Sequence, residues 1–183
     1  MGRQLYSVCF FLLFGTLVIS CVGTKIHVIE DPDRNRTIYR LAGLFANVSR
    51  DFVGLYGNMG IAIDMYVPVA SNDTTFYIKA LTLSSKQWTI SCGDTLSLTI
   101  EGRKTDLLCS QPLNAGQDES ITMQHTPYYF SGGWYQVNRS ILHAMANASV
   151  VDIGIHTAEG LITGRLTESK LAAIREFRGK YFR

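Results

Sequence analysis

The chain has 183 residues, with 17 basic and 15 acidic side chains, a formal charge of +2 and 46% hydrophobic residues. So even a charge balance excludes broad binding to nucleic acid or to anionic lipid, both of which need a basic stripe. The length fits one domain with a sizeable core, and no internal repeat or low-complexity segment interrupts it.

Arg3 is the only charged residue before Lys25, and an apolar run from Tyr6 to Ile19 follows it. That is the layout of an export signal, and the run is shorter than the roughly 20 apolar residues of a membrane span. Residues 1–20 are therefore read as a signal sequence. It closes on Val18-Ile19-Ser20-Cys21, in the order aliphatic, aliphatic, small, cysteine. This tetrad resembles the lipobox of bacterial lipoproteins, although Leu is commoner than Val18 at its position and Ile19 is larger than usual. The resemblance covers residues 1–21 and implies a diacylglyceryl group on the Cys21 thiol. It also implies cleavage before Cys21 and acylation of the new amino terminus. Two or three acyl chains hold a protein stably where one is marginal. The implied location is the cell envelope, with the membrane as partner through the lipid anchor. Ordinary signal cleavage is the alternative, with Cys21 left as a free thiol.

Five of the seven asparagines lie in N-x-S/T sequons: Asn35, Asn47, Asn72, Asn138 and Asn147. In a eukaryotic secretory protein the first four are glycan acceptors on surface loops; Asn147 ends a short helix. A secreted glycoprotein is therefore the rival reading.

Residues 21–36 are polar apart from one short apolar patch and are expected to be a tether. Ile38, Leu41, Ala42 and Phe45 recur at helical spacing, which predicts a helix over 37–47. The period changes to two at Ile61, Ile63, Met65 and Val67, a half-buried strand that ends near Pro68. Phe76, Ile78, Ala80 and Thr82 alternate again, and Trp88 and Ile90 continue after a turn. Leu96, Leu98 and Ile100 form a strand that a turn around Gly102-Arg103 returns through Leu107 to Cys109. Residues 110–120 read as a polar loop.

An aromatic strand over about 127–137, with a bulge at Gly132-Gly133, leads to Asn138, which caps a helix through Ala146. Val151, Ile153 and Ile155 pair with Leu161 to Thr163 after a turn. A last helix follows Thr167 and carries Leu171, Ile174 and Phe177. The sum is an α+β domain over 37–183, an antiparallel sheet with helices packed on one face.

No catalytic, cofactor-binding or metal residue is assigned. His27, His125, His143 and His156 sit in no ligand motif, and Gly54, Gly57 and Gly60 lack the context of a phosphate loop. Cys92 and Cys109 are a disulfide candidate in an oxidising compartment, provided Gly93-Asp94 folds the chain back. The alternative keeps one of them as a nucleophile with His125, in a secreted thiol-dependent or hydrolytic enzyme. Tyr128, Tyr129, Trp134 and Tyr135 form the most distinctive run, readable as a ligand surface or as core. The expected function is a binding or scaffolding module of the cell envelope, with an envelope protein or a glycan as partner and no nucleic acid.

Overall fold

The computed structural model describes residues 24–48, 60–69, 75–84, 88–114, 121–123 and 126–181. The signal sequence, Cys21, Asn72 and His125 lie outside them. The strands are β1 (Lys25–Asp31), β2 (Arg36–Val48), β3 (Gly60–Val69), β4 (Phe76–Ser84), β5 (Thr95–Ile100), β6 (Arg103–Asn114), β7 (Ile121–Met123), β8 (Thr126–Val137), β9 (Val151–Thr157) and β10 (Gly160–Leu166). The helices are α1 (Arg139–Asn147) and α2 (Glu168–Tyr181), and a 3-10 turn spans Pro32–Arg34.

The expected open sheet with helices on one face is not what forms. The neighbours run β2-β10-β9-β5-β6-β8-β4-β3, and β3 pairs back onto β2, so eight antiparallel strands close into a barrel. Closure removes the sheet edges. The inward side chains of the ring make one apolar core: Leu41, Ile61, Ile63, Met65, Ile78, Leu96, Leu98, Tyr135, Ile153 and Ile155 are all 2% exposed or less. Among the described residues no helix is long and apolar enough to cross a membrane.

β2 is the strand that closes the ring, and it was expected to be a helix. Its first half pairs with β1 and β3, and its last residues pair with β10. Leu41 lies opposite Met65 and Leu44 opposite Ile63, so two residues of β2, Ala42 and Gly43, match one of β3, Asp64. That bulge puts Leu41 and Leu44 on the same face at a spacing of three, which breaks the strand's alternation. Gly43 sits in it at φ +80. The presumed tether is also ordered, since residues 25–34 form β1 and the 3-10 turn.

Three further expectations change. The β5–β6 hairpin turns at Glu101-Gly102, with φ +48 and +79, so Ile100 faces Arg103 and Leu96 faces Leu107. β6 then runs on to Asn114 instead of ending in a loop. Trp88 and Ile90 are buried but lie in coil, not strand. The carboxyl third follows its sequence periods: strand, helix, two paired strands and helix, in that order. Asn138 caps α1 by accepting from Ile141 N at 2.9 Å. α1 and α2 pack on each other and add Leu142, Met145, Leu171, Ile174 and Phe177 to the barrel core. Tyr181 stacks on Tyr39 of β2 at 4.2 Å.

Candidate functional site: an aromatic trough on the outer wall

Alternation along β8 splits its aromatic run. Tyr135 points into the core and is completely buried, so it is not part of a ligand surface. Trp134 points outward and stays half-exposed. Tyr129 is also half-buried, and the Tyr128 side chain lies outside the described residues. Gly132 and Gly133 keep regular register with Leu81 and Ala80; the expected bulge is on β6 instead, between Cys109 and Gln111. This bulge leaves Ser110 facing solvent, and its Oγ donates to the Trp134 carbonyl at 2.8 Å. Trp134 is therefore held from its backbone.

Register brings the partners of Trp134 from β3 and β4. Tyr66 lies opposite Tyr77, and Lys79 lies opposite Trp134. The Tyr66 and Trp134 rings are 4.6 Å apart at 59°, and Tyr77 meets Trp134 edge-on at 6.4 Å. Such tilted and edge contacts suit the quadrupoles of the rings. The Lys79 ammonium lies 5.9 Å from the Trp134 ring centre, and Arg40 lies 5.6 Å from that of Tyr66. Toward β1 the floor continues through Pro68, Ile38 and Ile29, with Arg36, Ser110 and Gln111 as polar walls; the volume is about 300 Å³. Tyr66 has its phenol pKa raised, first by burial and further by Asp64, against the lowering effect of Arg40. At neutral pH it is a neutral hydroxyl that can donate and accept.

Asp64 anchors this wall from beneath. It is 4% exposed, and its carboxylate accepts from Arg40 Nη2 at 2.5 Å, from Arg40 Nε at 3.1 Å and from Gly43 N at 3.0 Å. One buried acid thus fixes both the cation beside Tyr66 and the bulge of β2.

A second, larger concavity of about 670 Å³ lies over Gly154 on β5, β9 and β10. Its charged groups satisfy one another. Arg165 bonds Asp152 at 2.6 Å, and Asp106 takes Lys104 at 3.3 Å. Ser97 Oγ donates to Asp106 at 2.5 Å rather than to His156. That bond is the main reason the Asp106 carboxyl lies below its usual range, which makes it a weak base for a serine nucleophile.

The cysteines lie where the sequence requires the chain to turn. Asp94 N donates to Ser91 O at 3.1 Å, Gly93 has φ +96, and Cys109 N donates to Asp94 O at 2.8 Å. Both thiols are free in this structure, Cys92 exposed and Cys109 buried. Burial is the first cause of the raised Cys109 pKa, which is unfavourable for a thiolate nucleophile. No group of three metal-ligating side chains occurs among the described residues.

The Tyr135 hydroxyl is buried beside the Cys109 thiol, a weak hydrogen-bonding group, and has no other partner among the described residues. A bond to a thiol contributes little stability. Tyr135→Phe is therefore expected to leave stability unchanged or raise it by up to about 1 kcal/mol. Urea unfolding checks this; a loss above that size would mean the hydroxyl is bonded more strongly.

Comparison of the chain with protein-family models, with curated proteins and with solved structures returns no match. Tyr66 and Tyr77 were not singled out from the sequence, because their meeting with Trp134 depends on the pairing of three strands.

Proposed function

We propose that this is an exported, lipid-anchored envelope protein whose barrel is a binding module, with the outer trough around Trp134 as its ligand surface and a glycan as its ligand. The observation that carries this reading is the outward Trp134 framed by Tyr66 and Tyr77. Flat apolar rings with polar tips match a sugar, which has apolar ring faces and a hydroxyl rim. The two phenols, the Gln111 amide and Arg36 supply donors and acceptors around that floor. The volume sits at the small end of ligand sites.

The signal-like and lipobox-like residues 1–21 support the anchor. Three residues from Cys21 to Thr24 span at most about 10 Å, so an acylated Cys21 would hold the barrel close to the headgroups. The turn at 91–94 supports a Cys92–Cys109 bridge after export. The exposed side chains of Asn35 and Asn47 favour the second reading, a secreted glycoprotein. Intact mass of the mature chain separates the two: acylated Cys21 as first residue, or a later start with a mass that falls on glycan removal.

Calorimetric titration with a β-1,4-linked N-acetylglucosamine tetramer, with maltotetraose in parallel, tests the ligand. Binding of either sugar is expected to weaken by about tenfold in Trp134→Ala and much less in Trp134→Phe. Binding of neither sugar, or equal binding by Trp134→Ala, would sink the glycan reading.

A further inference from the structure

We propose that β1 pairs edge to edge with β1 of a second copy, making a two-fold dimer. Two strands lie outside the closed ring, β7 on β8 and β1 on β2, and β1 is the longer. It pairs with β2 on one side, and its other edge has no strand partner among the described residues. Ile26 packs against the core, but two other apolar side chains of β1 remain open, with Val28 57% and Ile29 38% exposed. A seven-residue strand with an open edge is a template for another strand.

The sequence of β1 selects the partner. It reads Lys-Ile-His-Val-Ile-Glu-Asp from Lys25 to Asp31. Antiparallel pairing centred on Val28 is the register that uses all seven residues. It sets Lys25 opposite Asp31 twice, Ile26 opposite Glu30, His27 opposite Ile29, and Val28 opposite itself. An isologous interface requires such self-complementarity, and opposite charges facing across strands stabilise the pair. The same charges discourage other strands, because a carboxylate pair at one end and an ammonium at the other fit only a partner with the reverse order. Asp31 can serve both neighbours: one carboxylate oxygen already takes Arg36 Nε at 2.9 Å, and the other can accept from Lys25 of the second copy.

The dimer also extends the trough. Alternation puts Lys25, His27, Ile29 and Asp31 on one face of β1, and Ile29 lines the trough. In this register His27 of the second copy arrives beside Ile29. The trough then gains an imidazole wall that one chain lacks.

Sedimentation of the mature full-length protein, in detergent if acylated, is expected to give a dimer. Val28→Cys should form a covalent dimer on mild oxidation, since directly opposed Cα atoms lie about 4.5–5.5 Å apart, within disulfide range. Glu30→Cys, which faces Ile26, should not cross-link above wild type. Lys25→Glu should weaken the dimer by about tenfold, because each cross-strand attraction becomes a repulsion. Val28 is solvent-exposed, so its substitution leaves the fold intact, and circular dichroism checks that. A monomer at all accessible concentrations, or a dimer that Val28→Cys fails to cross-link, overturns the proposal. Neither result bears on sugar binding within one chain's trough.

Discussion

Asp64→Ala is expected to lower stability by about 2–4 kcal/mol, measured by urea unfolding. The carboxylate is buried and takes three hydrogen bonds, two from Arg40 and one from Gly43 N. Removing it leaves a guanidinium without its counter-ion and a backbone N–H without its acceptor. Breaking a fully buried pair costs about 3–5 kcal/mol. The Arg40 side chain is 32% exposed and can turn toward water, so the lower part of that range applies. The location amplifies the effect, because Gly43 belongs to the bulge that lets β2 serve both β3 and β10. Asp64→Asn keeps the shape and an acceptor and should lose less. A change below about 0.5 kcal/mol in Asp64→Ala, the size of an ordinary surface substitution, would show that Asp64 does not hold the closure.

The second large effect is expected at Gly132. A Cβ built there would lie 2.5 Å from Leu81 Cδ2 and 2.7 Å from the Ala80 carbonyl oxygen. The leucine tip can move, but the backbone oxygen belongs to the β4–β8 ladder and cannot. Gly132→Ala should therefore cost about 2–3 kcal/mol, as overpacking does in close-packed interiors. Gly60→Ala is the control, since nothing lies within 4 Å of a Cβ there, and it should change stability by no more than about 0.5 kcal/mol. Equal effects at the two glycines would mean that the close approach of β4 and β8 does not exist in solution.

What could be read from the sequence follows from the range of the interactions. The succession from β8 to α2 was legible because each boundary carries a local signal, such as Asn138 at the start of α1. Barrel closure was not, because β2, besides pairing with the next strand β3, must also pair with β10, a strand far from it in the chain. The β2 bulge hid that strand further by breaking its alternation, so that the set read as helical, Ile38, Leu41, Ala42 and Phe45, mixes inward Leu41 with outward Phe45. The trough was half legible. An aromatic run announced Trp134, but alternation sends Tyr135 inside, and the other two rings arrive from β3 and β4 through register alone. The free edge of β1 was hidden by composition, since its charges made residues 25–36 resemble a tether.

The trough is tested most directly by the indole N–H signals of the two tryptophans. Trp134 lines the outer trough, whereas Trp88 is 3% exposed in the core. In ¹⁵N-labelled protein titrated with the N-acetylglucosamine tetramer, the Trp134 indole signal, assigned by its loss in Trp134→Phe, should shift progressively to saturation while that of Trp88 stays fixed. A Trp134 signal that does not move at saturating tetramer, or a shift at Trp88 alone, would contradict a ligand surface built on Trp134.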